Sequence, residues 1–257
     1  MMTYGKRVAA SAGGVCLVIL LSSVACAHNI WLTEGKGGEN HVVQVDFGDL
    51  SAREMPDVKK LATLDLITPN GKTDLRSPQP KAGDAFGHPI LMTSPFSAPS
   101  DSVVAASYDN GFWVTAPGDR LERNASALLI PNGTGKHWTV KYAKLLLGPG
   151  SYSKVLSARL ELVAMKDPFS NPGSTLPVKL LLNGKAYPGA DITYTDGLEP
   201  LSDKDQPSVK TGADGVAQVP FHKGLELLTT DLNADPLDPT LSEKDHIYAS
   251  LTFQTPK

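Results

Sequence analysis

What most constrains this chain is its punctuation: 23 glycines and 20 prolines among 257 residues leave few stretches long enough for a helix of ordinary length. Proline inside a helix removes a donor and clashes with the preceding turn, and glycine in an element interior costs backbone entropy. Between these breakers lie short β-branched or alternating runs, the pattern of half-buried strands joined by tight turns. They are His41 to Phe47, Ser102 to Ser107, Gly111 to Thr115, Trp138 to Leu146, Arg159 to Ala164, Pro177 to Leu182, Asp191 to Thr195, Val216 to Pro220, Glu226 to Thr230 and Ile247 to Phe253. The spacing predicts an all-β fold of sandwich type, with Ala52 to Leu64 the one helix candidate.

A second constraint is where the runs are interrupted for good. Asp167-Pro168-Phe169-Ser170-Asn171-Pro172-Gly173 cannot continue a ladder, because its prolines lack amide donors and its other residues are mostly turn formers. The reading is therefore two β-sandwich domains, 28–166 and 174–257, joined by a linker at 167–173. In the second, Asn183-Gly184 and Asp214-Gly215 each read as the tight turn of a hairpin.

The first 28 residues decide where such a chain would work. Lys6 and Arg7 precede the apolar run Val15 to Leu21, which leads into Ala25-Cys26-Ala27, a small-x-small cleavage pattern. This predicts a signal peptide at 1–27, export to the periplasm, and His28 as the first residue of the mature protein. Ser23-Val24-Ala25-Cys26 also loosely resembles a lipoprotein box, though with Ser where Leu is wanted. The run falls well short of the ~18 apolar residues a membrane span needs. Both cysteines, Cys16 and Cys26, lie in the removed segment, so the mature chain has neither disulfide nor thiolate. Loss of Lys6 and Arg7, with no carboxylate side chain before His28, takes the formal charge from −3 to −5. That argues against nucleic acid as a partner.

A terminal histidine carries a free α-amine and an imidazole on one residue, and so can close a two-nitrogen chelate on nickel, cobalt or copper. His88, in a Gly-rich loop, and His137, at a strand start, are the candidate completing ligands. His41 is expected to face solvent at a strand edge, and His222 and His246 would need a site spanning both domains. Because ligation requires neutral imidazole, such a site would release metal as pH falls through ~6.5. Asp231-Leu232-Asn233-Ala234-Asp235 begins like a calcium loop, but Pro236 stands where that loop needs glycine, leaving an acidic solvated loop as the expectation. Lys144 and Glu161, each in an apolar strand, predict a buried ion pair, and Trp31, Phe112 and Trp113 predict packing residues.

Several segments resemble known families. The C-terminal half, with its two Gly turns, is similar to the transthyretin-like or carboxypeptidase-regulatory β-sandwich. Over the mature chain, Ala27-His28-Asn29-Ile30-Trp31-Leu32, Tyr108-Asp109-Asn110-Gly111-Phe112-Trp113-Val114, Tyr142-Ala143-Lys144 and Leu160-Glu161-Leu162-Val163 together resemble a periplasmic family of unassigned biochemical function. Its members accompany nickel and cobalt uptake systems or outer-membrane receptors of Gram-negative bacteria. The resemblance implies a metal-binding accessory protein whose partner is a transporter or receptor, and no enzyme. The chain departs from the family in one respect: where members often carry Gly-His before the Leu-Glu segment, Ala158-Arg159 stands here.

Neither a G-x-S-x-G elbow, an H-E-x-x-H helix nor a phosphate-cradling loop is present. The competing expectations are an interaction module that binds no metal and, more remotely, a copper-dependent oxygenase built on the terminal histidine.

Overall fold

The computed structural model describes residues 28–255 apart from 36–39, 82–86, 88–89, 171–174, 197–200 and 202–204. The expected signal peptide and His88 thus lie outside the described residues. Strand β1 (Asn29–Gly35) is followed by β2 (Val42–Asp49), β3 (Ala52–Glu54), β4 (Leu61–Thr68), β5 (Gly71–Asp74), β6 (Gln79–Lys81), β7 (Ile90–Met92) and β8 (Val103–Thr115). Next come β9 (Arg123–Asn124), β10 (Thr134–Leu146), β11 (Leu160–Ala164), β12 (Thr175–Leu182), β13 (Lys185–Ala186) and β14 (Asp191–Asp196). The series closes with β15 (Ser208–Lys210), β16 (Val216–Pro220), β17 (Leu225–Ala234) and β18 (Lys244–Gln254).

The fold is all-β, as the punctuation requires. The helix expected over residues 52–64 is instead β3, one 3₁₀ turn at Val58–Lys60 and the start of β4. Pro56 breaks the pattern, and the Asp57 carboxylate caps the short turn by accepting from the Lys59 amide at 2.9 Å. Asp231 to Ala234, expected in an acidic loop, belongs to β17. The runs at 102–107 and 111–115 join into the single strand β8, which irregular pairing with β10 between Thr139 and Val140 allows to bend.

A nine-stranded sheet in the order β15-β14-β17-β18-β10-β8-β4-β5, with β9 against β8, forms the middle of the molecule. Its centre is the parallel pairing of β10 with β18, from His137 opposite Lys244 to Leu146 opposite Phe253. Alternate residues of a strand face opposite sides of a sheet, and β10 uses both sides. Ala143 and Leu145 join Ile30, Leu32, Val43, Val45 and Leu64 in one core. Val140 and Leu146 join Leu160, Leu180, Ile192, Leu251 and Phe253 in another. The sheet β1-β2-β7-β6 covers the first face and the sheet of β11, β12, β13 and β16 covers the second. The result is two sandwiches that share their middle sheet.

Residues on both sides of 167–173 enter that arrangement. Strands β11 and β12, which flank the segment, pair antiparallel from Leu160 opposite Leu182 to Ala164 opposite Val178. At Asn183-Gly184 both residues have positive φ, 51° and 73°, the twist a two-residue hairpin turn demands, and Leu182 pairs with Lys185 across it. Asp214-Gly215 is also a turn, yet the strands beside it, β15 and β16, belong to different sheets. There the chain crosses the sandwich where a hairpin was expected.

Strand β1 lies at the edge of its sheet, where unpaired carbonyls would invite a foreign strand. Side chains of the middle sheet occupy that edge: Lys141 Nζ donates to the His28 carbonyl, Ser250 Oγ to that of Ile30 at 2.8 Å, and Thr252 Oγ1 to that of Leu32.

Candidate functional site

His28 stands immediately before β1, and the register of three strands decides what surrounds it. Asn29 lies opposite Gly48 on β2, and Phe47 lies opposite Glu54 on β3. Period-two alternation then puts His28, Phe47 and Glu54 on one face. Gly48 makes the close return into β3 possible: its φ is +112°, and a Cβ there would sit 2.6 Å from the Ala52 carbonyl oxygen. The His28 ring meets Phe47 edge-on at 5.5 Å, and its Nε2 lies 3.8 Å from Glu54 Oε1. The carbonyl held by Lys141 fixes the backbone of the same residue.

Lys141 is the unusual group beneath this corner. It is 2 % exposed, faces Tyr108 on β8 and Tyr248 on β18, and lies 3.8 Å from the Tyr248 ring centroid. Burial depresses its pKa to about 7, against the opposing pull of Asp231. Tyr108, whose hydroxyl accepts from the Asp57 amide at 3.1 Å, has its pKa raised by burial.

His137 is placed elsewhere on the same sheet. The parallel β10–β18 pairing sets it against His246, with ring centroids 3.9 Å apart and planes at 17°. Its Nδ1 faces the Gly135 carbonyl at 2.9 Å and Glu122 Oε1 at 3.7 Å. Imidazole lone pairs lie in the ring plane, so two stacked rings direct them side by side and not at one point. Among the described residues, no three His, Cys, Asp or Glu side chains form a group that could hold a metal ion. His28 therefore stands with Glu54 and Lys141, and His137 with His246, a pairing that needs both halves of the chain.

The remaining candidates are structural or solvated. His41, expected to face solvent, is half-buried, with Nδ1 2.6 Å from Glu34 Oε1 and its ring stacked on Phe96. The His222 side chain is 74 % exposed beside the buried Glu226. Trp31 is buried against Leu50 and Leu227, whereas Phe112 and Trp113 are half-buried, Phe112 stacked on Trp138 and Trp113 beneath Lys60. Lys144 and Glu161 form the expected buried pair. Arg159, at the departure from the Gly-His pattern, donates to the buried Asp245 at 2.6 Å and to the Asp235 carbonyl at 2.6 Å, a corner brace in place of an imidazole. No helix among the described residues is long and apolar enough to cross a membrane.

Two comparisons with known proteins bear on this geometry. A family model described as a domain of unknown function (DUF4198) matches residues 25–231. An uncharacterized protein of Haemophilus influenzae is 27% identical over 237 residues, which cover 91% of this chain and 93% of that protein.

Proposed function

The chain belongs to the DUF4198 family, a domain of unknown function, and from that premise we propose that, cleaved after Ala27, it binds a divalent transition metal ion in the periplasm as an uptake accessory. The observation that carries this reading is the setting of His28. Its carbonyl is tied to Lys141 and its Nε2 is turned toward Glu54, which leaves the α-nitrogen and Nδ1 of one anchored residue to form the chelate. A carboxylate facing the outer ring nitrogen orients a ligating imidazole and raises its basicity. Glu54 acts on the ring and not on the metal, so it is an orienting partner and does not replace the completing ligand expected from His88 or His137. Nickel or cobalt is the favoured cargo, on the resemblance of the motifs to proteins that accompany such uptake systems; copper fits the same two nitrogens.

Calorimetric titration with nickel, cobalt, copper and zinc tests the proposal, comparing protein that begins at His28 with protein carrying one additional alanine before it. The expected result is tight binding by the first and loss of that binding in the second. Glu54→Gln should weaken binding by about tenfold or more, the usual effect of removing an orienting partner. Equal affinity in both forms, or none in either, overturns the reading.

A second reading has its own support. The segment between β8 and β10 exposes Leu121, Leu128 and Leu129 at 74 %, 69 % and 77 %, apolar surface suited to docking a transporter or receptor. Under that reading the added alanine leaves partner binding unchanged, whereas Leu128→Asp with Leu129→Asp removes it.

A further inference from the structure

On the side of the middle sheet away from His28, a cavity of about 220 Å³ opens between the face of β4 and β8 and the chain that leads into β11. Since one water takes about 30 Å³ of liquid, the space admits about seven waters or a molecule of similar heavy-atom count. Its floor is made of short side chains, Thr63 on β4 and Ala105 and Ser107 on β8. At the alternate positions Leu64, Leu66 and Val104 point the other way, into the first core.

The far wall is a strap, Leu156 to Ala158, and two tethers hold it off the floor. Lys144 Nζ, from β10, donates to the Lys154 carbonyl at 3.0 Å, and the Leu156 amide donates to Glu161 Oε1 at 2.7 Å. The next residue, Ser157, has a φ of 60°, in the left-handed region that a residue with a Cβ adopts only at a cost. A strap tied to the buried Lys144–Glu161 pair and bent at such a residue cannot settle onto the floor, so the cavity is built into the fold.

The polar groups of the floor decide what the space would hold. Thr63 Oγ1 accepts from the Ser107 amide at 3.0 Å and lies 2.7 Å from Ser107 Oγ. Of the two hydroxyl protons, one lies between the oxygens and the other has no acceptor among the described residues. Ser107 is paired to strands on both sides, so the surface that leaves it only half-buried belongs to its Cβ and Oγ, on the cavity face. The hydroxyl pair is therefore within reach of a bound molecule and has one proton to give it.

Charge narrows the choice further. Asp65 follows Thr63 on the same face, about 7 Å along the strand, and repels an anion. Lys72, 2.8 Å from Asp65, and Lys144 oppose a cation. We propose that the cavity binds a small neutral molecule, whose carbonyl-type oxygen accepts from the Thr63–Ser107 pair and whose apolar body lies against Ala105, Ala158 and Leu160. The site is separate from the His28 corner, because Lys144 and Lys141 project from opposite faces of β10, and it stands whether or not the chain binds metal.

The test titrates hexan-2-one, which has an acceptor and no donor, into the 15N-labelled protein while backbone shifts are followed, beside pentanoate and hexylammonium of equal heavy-atom count. The ketone should shift residues 105–107 and 156–162 with about millimolar affinity, and both ions should bind at least about tenfold more weakly. Thr63→Val with Ser107→Ala leaves no hydroxyl on the floor and should weaken ketone binding about tenfold, whereas Ser107→Ala alone keeps the Thr63 proton and most of the affinity. Ala158→Leu fills the space from the strap and should abolish the response in a protein that keeps the native spectrum. Equal binding of the ions, unchanged ketone binding in the double or the filled variant, or no response to any probe would each overturn the proposal. The first and last of these are read on the unaltered protein.

Discussion

A half-buried histidine stacked on another records its setting in its proton affinity. Burial first, then the nearby charges of His137 and Lys141, hold His246 near a pKa of about 4, while Asp245 pulls the other way. Between that value and the ordinary 6.5 the unfolded chain binds a proton that the folded chain refuses, so stability rises with pH across this window and is lost as pH falls from 6.5 toward 4. Urea midpoints measured at pH 7, 5.5 and 4.5 should decline, and His246→Gln should flatten the decline; an unchanged slope in the variant would place the loss in other groups. The two histidines lie 109 positions apart, and nothing in the local sequence of either marks the other. Lys144 and Glu161 were legible because a charge inside an apolar strand demands a partner. Phe112 and Trp113 were legible only in part, since aromatic type foretells burial but not which layer ends short of them.

At the scale of elements, β1 is held by its ladder to β2 and also by what reaches its free edge. Ser250 and Thr252 donate to the Ile30 and Leu32 carbonyls from β18, 220 positions away in the chain. Ser250→Ala with Thr252→Val preserves shape and removes both donors, and at about 1 kcal/mol per lost bond should cost about 2–3 kcal/mol of stability. Hydrogen exchange should accelerate in residues 29–35 more than in β18, and equal protection in both strands would mean that the edge contacts do not hold β1. Strand positions were largely readable from alternation, and the Asn183-Gly184 turn from its two residues, because both signals are local. The stretch at 52–64 was misread because Leu61 and Leu64, three positions apart and both buried by β4, also suit one face of a helix. The fate of the Asp214-Gly215 turn depended on which sheet each flanking strand joins, and a turn dipeptide carries no information on that.

For the whole molecule, the same limit governs the boundary at 167–173, which marks a change of composition more clearly than a change of core. The second core takes Val103, Val140, Leu146, Leu160 and Leu162 from before that segment and Leu180, Leu228, Leu251 and Phe253 from after it. Residues 174–257 made alone would leave one edge of β12 without β11 and one edge of β18 without β10. That fragment is expected to aggregate or remain unfolded, and the whole chain to melt in one transition. Circular dichroism of the fragment checks this: a cooperative melt there would establish the C-terminal half as an independent domain.

The parallel pairing of β10 with β18 also orders events in time. A polypeptide emerges N-terminus first, whether from a ribosome or through a membrane pore, and β18 is the last of the described strands to appear. Until it does, β10 remains an open edge with β8 on its other side, and the second core lacks Ile247, Ala249, Leu251 and Phe253. Non-local strand pairing of this kind is slow and leaves apolar surface exposed meanwhile. The nascent chain must therefore be kept from its neighbours until β18 has emerged, and truncation only a few residues before Gln254 shortens the strand on which the second sandwich closes.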